Sequence, residues 1–106
     1  MKNELGVTLD RNGYAPSIIP FHDVTWCYLC DGRFTQCARH EVFHGAYRSK
    51  SKRLGLWVYL CPECHRTLHN LGIGDRQLKK AAQKEAKAEY GWDDKKFRSE
   101  FGKNYI

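Results

Sequence analysis

The rhythm of apolar and polar positions changes several times along the chain. Residues 1–25 scatter apolar side chains among turn formers (Asn12-Gly13, Pro16, Pro20), which predicts an irregular arm with at most one short strand. From Ala38 the pattern becomes strand-like: "ARHEVF" is short and ends at the turn signal His44-Gly45. A second strand, "GLWVYLCP", is rich in β-formers and is stopped by Pro62. Between them "HGAYRSKSKRLG" is polar, basic and bounded by glycine, too long for a tight turn. The expectation is a hairpin with a wide loop.

Pro62 suits the first turn of a helix, and "ECHRTLHNLG" reads as that helix, ended by Gly72 or Gly74. Asp75 is placed to cap the next, "RQLKKAAQKEAKAEYG", which Gly91 terminates. In it Leu78, Ala82, Ala86 and Tyr90 recur every fourth residue and form one weakly apolar face. A last helix, Asp93 to Phe101, sets Phe97 and Phe101 one turn apart. The pattern predicts one small α+β domain: an arm (1–25), a strand–loop–strand–helix core (26–72) and a helical tail (73–106).

At 106 residues the chain is one domain with a small core, where burial alone stabilises weakly. A structural metal adds folding energy to such a chain. No apolar run reaches the ~20 residues of a membrane helix. The first twenty residues lack the apolar stretch of a signal peptide, so the expected setting is a reducing cytoplasm. The net charge is +6, distributed as −1 over residues 1–30, +4 over 31–60 and +3 over 61–106. A polyanion is therefore expected to dock on the middle third.

Cys27 and Cys30 form one CxxC, Cys61 and Cys64 another. Two such pairs are the ligand set of a closed tetrahedral zinc site, and a reducing compartment favours metal over disulfides. The plain alternative is two coincidental pairs of buried cysteines, or two disulfides. Cys37 has no partner and reads as a small buried apolar residue.

The histidines are then left over. His65 and His69 stand at i and i+4 of the expected helix, so their rings share a face and suit one metal ion with open positions. Alternatively, His65 replaces Cys64 at the zinc and His69 is a surface residue. His40 lies on the first strand, beside Glu41, where a hairpin backed by the helix can turn it toward His65 and His69. An imidazole there is a candidate base. His22 and His44 read as hydrogen-bonding surface residues.

These motifs together resemble the HNH (ββα-metal, His-Me finger) endonucleases: a CxxC, a strand histidine followed by a second polar group, a loop, a strand ending "LCPECH", and HxxxH. The stretches "LGVTLDRNGYAPSI", "RHEVFHG", "SKRLGLWVYLCPECH" and "FGKNYI" are similar to small HNH-type proteins of phages and prophages. The resemblance implies a zinc-stabilised ββα-metal core, phosphodiester cleavage in DNA, a catalytic divalent ion such as Mg²⁺ or Mn²⁺, and a bacterial cytoplasm. His65 and His69 would hold that ion with a ligand from the first strand, and a base on that strand would activate water.

Two departures stand out. The family pair on the first strand is a metal ligand followed by a histidine base, whereas here it is His40-Glu41. Either His40 is the ligand and Glu41 the base, or His40 is the base and Glu41 helps hold the ion. The second is preferred, since carboxylates suit hard cations. The motif asparagine is also missing, with Tyr47 in its place. That loss leaves a catalytically weak or inactive module, binding DNA or a phage or host protein, as the alternative.

Tyr47, Arg48, Lys50, Lys52 and Arg53 form the basic loop between the strands. Four cations in seven residues beside the histidines suit neutralisation of DNA phosphates, and Tyr47 suits stacking.

Overall fold

In a computed structural model covering residues 1–106, strand β1 (Ala38–Glu41) pairs antiparallel with β2 (Trp57–Leu60). A 3₁₀ turn (Gly45–Tyr47) and helix α1 (Arg48–Arg53) connect them. Helices α2 (Pro62–Leu71), α3 (Asp75–Tyr90) and α4 (Asp94–Phe101) follow. The protein is a small α+β structure with a two-stranded sheet and four α-helices. No helix is long and apolar enough to cross a membrane.

The connector between the strands differs from the wide loop the polarity suggests. Its Lys and Arg residues are good helix formers. Ser51 is fully buried; its hydroxyl donates to Leu56 O at 2.5 Å and accepts from Phe43 N at 3.2 Å. That one side chain ties both ends of the excursion together.

The strands are also shorter than the apolar runs around them. Val42 and Phe43 continue beyond β1 as buried residues; Val42 N–H still donates across to Leu56 O at 3.0 Å, and the chain then turns to begin the connector. The arm has no strand, only the isolated bridge Lys2–Thr8; a second bridge, Trp26–Arg33, follows it around the first CxxC. The arm is fastened by Trp57 Nε1 donating to Ala15 O (2.8 Å), Ser17 Oγ to Trp57 O (2.7 Å) and Asn3 Nδ2 to Arg53 O (2.7 Å).

Helix α2 begins as expected. Pro62 is in its first turn, and Cys61 caps it by accepting the Cys64 N–H on sulfur. Gly72, at φ +72°, closes it in the left-handed conformation that glycine adopts without a Cβ penalty. Asp75, expected as the cap of α3, is instead its first helical residue, and Gly74 stands at the cap. Asp93 caps α4 by accepting Lys96 N–H at 2.7 Å.

The apolar face of α3 is buried through Leu78, Ala82 and Ala86, with Tyr90 half-buried at its end. One cluster of 16 buried residues joins Ile19 of the arm, the sheet, α2, α3, and Phe97 and Phe101 of α4. Gln83 is fully buried, donating to Asp94 and Asn104 and accepting Tyr105 N–H, so α3, α4 and the C-terminal residues are tied by one amide.

Candidate metal centres and the histidine cleft

Cys27 and Cys30 come from the turn that follows the arm, and Cys61 and Cys64 from the start of α2. Their four sulfurs lie within 4.8 Å of one another, compatible with a structural zinc. Burial opposes ionisation of Cys27. Backbone N–H groups of Cys61, Cys30 and Leu29 aimed at its sulfur outweigh burial and bring the thiol down to about 7. Donors pointed at a buried sulfur are what a thiolate ligand requires. Cys37 is buried at 3 % exposure, outside the quartet, in the apolar role expected of it. A hollow of about 420 Å³ beside the sulfurs is lined mainly by apolar groups such as Leu29, Phe34 and Ile73.

The other cluster is separate. Cys64 stands with the cysteines, while His65 turns to His69 and His40; the three imidazoles bring ligand atoms within 4.8 Å of one another. The sheet register explains how. Residues 38 and 40 of β1 share a face with Val58 and Leu60, the face that packs on α2. His65 and His69, one turn apart on α2, meet His40 there with ring centroids 5.2 and 5.3 Å from its own.

His40 is 3 % exposed, and its Nε2 has no hydrogen-bond partner. A buried imidazole nitrogen without a partner is costly, and an ion coordinated there removes that cost. Burial, then the neighbouring His65, His69 and His44, push the His40 pKa down to about 4. A histidine kept neutral is the form that ligates metal. The residues present therefore fit one divalent ion.

Arg39 and Glu41 alternate with His40 along β1; they bond Asp10 and Tyr14 of the arm and also reach the edge of the cleft that the histidines line. Glu41 is 6 % exposed and accepts Arg48 Nε at 2.6 Å. Burial raises its pKa, but hydrogen bonds from Arg48 and Tyr14 outweigh burial and hold the carboxyl below its ordinary range. Burial, then the Glu41 carboxylate, push Tyr14 up to about 12.

The three histidines open into a cleft of about 250 Å³. Arg39, Glu41, His44, Gly45 and Arg48 complete its walls. Of the expected basic loop, only Arg48 lines the cleft. Lys50 is tied to Glu100 (Oε1 3.2 Å, backbone O 2.9 Å), and Arg53 reaches Ser49 and Glu4. Lys52 lies over the Tyr14 ring at 4.7 Å. Tyr47 packs on Phe101, centroids 5.9 Å apart, away from the histidines.

Sequence reasoning missed Arg39, which stacks over Tyr14 and Trp57 while bonding Asp10 at 2.8 Å. His44 is exposed, as expected of a surface residue, and it also lines the cleft, which was not expected. Neither carries a local motif; only the strand alternation of Arg39 with Glu41 and the shared-face spacing of His40 and His44 hinted at them. No family model, curated protein or solved structure matches this chain.

Proposed function

We propose that the protein is a metal-dependent DNA endonuclease or nickase of the HNH type, acting in the cytoplasm of a bacterial host. The observation that carries this reading is the buried, unpaired Nε2 of His40, set against two further imidazoles at the floor of an open, arginine-walled cleft. The order β1, connector, β2, α2 supports it, being that of a ββα-metal unit beside a cysteine quartet.

In this reading His40, His65 and His69 hold one divalent ion such as Mg²⁺ or Mn²⁺, and the cysteines keep a zinc for architecture. The trio favours His40 as ligand rather than base, and Glu41, engaged by two donors, as the residue that aims Arg48. The bound ion supplies positive charge where negative charge develops on the scissile phosphate. Arg48, held by Glu41, and Arg39 offer guanidinium groups to the phosphate from the walls. Lys50, Lys52 and Arg53 contribute general attraction for the DNA backbone, with strong salt dependence.

The test is supercoiled plasmid incubated with Mg²⁺ or Mn²⁺. Nicking that stops on chelation and in His69→Ala supports the nuclease. A second reading, a binding module without cleavage, is favoured by Tyr47, which stands at the motif asparagine's position and packs on Phe101 instead of the cleft. Salt-sensitive retention of DNA without nicks under any ion selects that module; absence of both points to a protein partner.

A further inference from the structure

The nuclease reading leaves one role without an owner: a group that takes the proton of the attacking water. We propose that His44, oriented by Asp75, is that group; the assignment rests on the nuclease reading.

All five histidines have distinct places. His40, His65 and His69 form the trio. His22 is on the arm against Trp26, with ring centroids 4.7 Å apart. His44 alone lines the cleft outside the trio. Its ring centroid is 6.3 Å from that of His40, against the ion-binding rings without joining their 4.8 Å cluster. A water bound between the trio and His44 is within reach of both.

The backbone leaves this imidazole free for the task. His44 precedes the 3₁₀ turn in extended conformation, yet its side chain caps nothing. Gly45 follows at φ +63°, a conformation that turns the chain sharply at the cleft wall and that side-chain-bearing residues rarely adopt.

Asp75 completes a dyad. His44 Nε2 lies 3.5 Å from Asp75 Oδ1. That oxygen is shielded from solvent and has no hydrogen-bond partner, the imidazole nitrogen being the group that faces it, while Oδ2 binds Lys79 Nζ at 2.8 Å. A carboxylate fixed by a lysine and facing one imidazole nitrogen favours the tautomer with the proton on Nε2, which leaves the Nδ1 lone pair as the acceptor. Glu41, the other candidate, already accepts from Arg48 and Tyr14.

The step balances as follows. His44 Nδ1 takes a proton from water as the water oxygen forms a bond to phosphorus. The bond from phosphorus to the leaving 3′ oxygen breaks with its electron pair, and solvent protonates that oxygen. Asp75 keeps its charge beside the imidazolium and acts as a positioning residue.

Three measurements on the full chain test this. Plasmid nicking by His44→Gln is expected to fall about 10²–10⁴-fold in kcat, with KM within about twofold, the range of a lost general base. Mn²⁺ affinity by calorimetry and the melting temperature stay at wild-type values. Nitrogen-15 NMR of the protein without added Mn²⁺ shows His44 as the Nε2–H tautomer, and Asp75→Asn shifts that tautomer while slowing nicking. A His44→Gln protein that nicks at the wild-type rate overturns the base assignment and leaves the nuclease reading standing. Loss of Mn²⁺ binding in that variant makes His44 a ligand and also overturns the assignment. A wild type that binds Mn²⁺ and nicks with no ion overturns both.

Discussion

Two cysteines make the sharpest comparison in this molecule. Cys27 and Cys37 are 0 % and 3 % exposed and belong to the same buried cluster, yet only Cys27 stands in the sulfur quartet. Cys→Ser is the same small change at both sites. At Cys37 it puts a hydroxyl into an apolar setting, a cost of about 1–3 kcal/mol. At Cys27 it also removes one of the four sulfurs that would hold a structural zinc. An even quarter of the ~10–16 kcal/mol that structural zinc contributes is about 2.5–4 kcal/mol, in addition to the same burial cost. At ~4 °C per kcal/mol for a domain of this size, Cys37→Ser should melt about 4–12 °C below wild type, and Cys27→Ser about 14 °C or more below. Scanning calorimetry of zinc-loaded proteins, with zinc counted by mass spectrometry, reads both numbers. Cys37→Ser should keep one zinc per chain, and Cys27→Ser should lose it on dialysis. Equal melting temperatures with equal zinc would refute the quartet.

Further expectations concern the cleft. In protein without an ion there, His40 stays neutral down to about 4, whereas the unfolded chain takes up this proton near 6.5. The unfolded state binds more protons in that window, so stability falls as pH drops through it, by at most about 1.4 kcal/mol per pH unit. Urea unfolding at pH 7 and 5.5 should show a slope that flattens in His40→Gln. Arg48→Ala removes the chief group opposing the burial of Glu41, so carbon-13 NMR should find the Glu41 carboxyl titrating above its wild-type position. The same variant should weaken DNA binding and reduce its salt slope by about one. His69 is exposed, so His69→Ala should keep the wild-type melting temperature while nicking disappears; retained nicking removes His69 from the site.

Features encoded by spacing were legible in the chain. Two CxxC pairs announce a quartet because a two-residue turn aims both sulfurs at one point. His65 and His69 announce a shared helix face for the same local reason. Helix ends at Pro62 and Gly72 follow from backbone chemistry that needs no tertiary context. The connector was misjudged because its charges suggest solvent, while a single serine, Ser51, anchors it as a helix from within the core. The basic residues there were read as one surface, but Glu4, Glu100 and Tyr14, far away in sequence, draw three of the four elsewhere. His44 and Asp75 stand 31 positions apart, and only the packing of α3 beside the cleft brings them together. Asp75 illustrates the limit well: its residue type suits a helix cap, and its actual partners are His44 and Lys79.

Two separate ion pockets, one of sulfur and one of imidazole, underlie the whole functional account. Anomalous diffraction at the zinc and manganese edges, from crystals grown with both metals, addresses them directly. The account predicts zinc among Cys27, Cys30, Cys61 and Cys64, and manganese bound by His40, His65 and His69. A lone ion whose shell mixes cysteines with the α2 histidines, and no metal at His40, would contradict it.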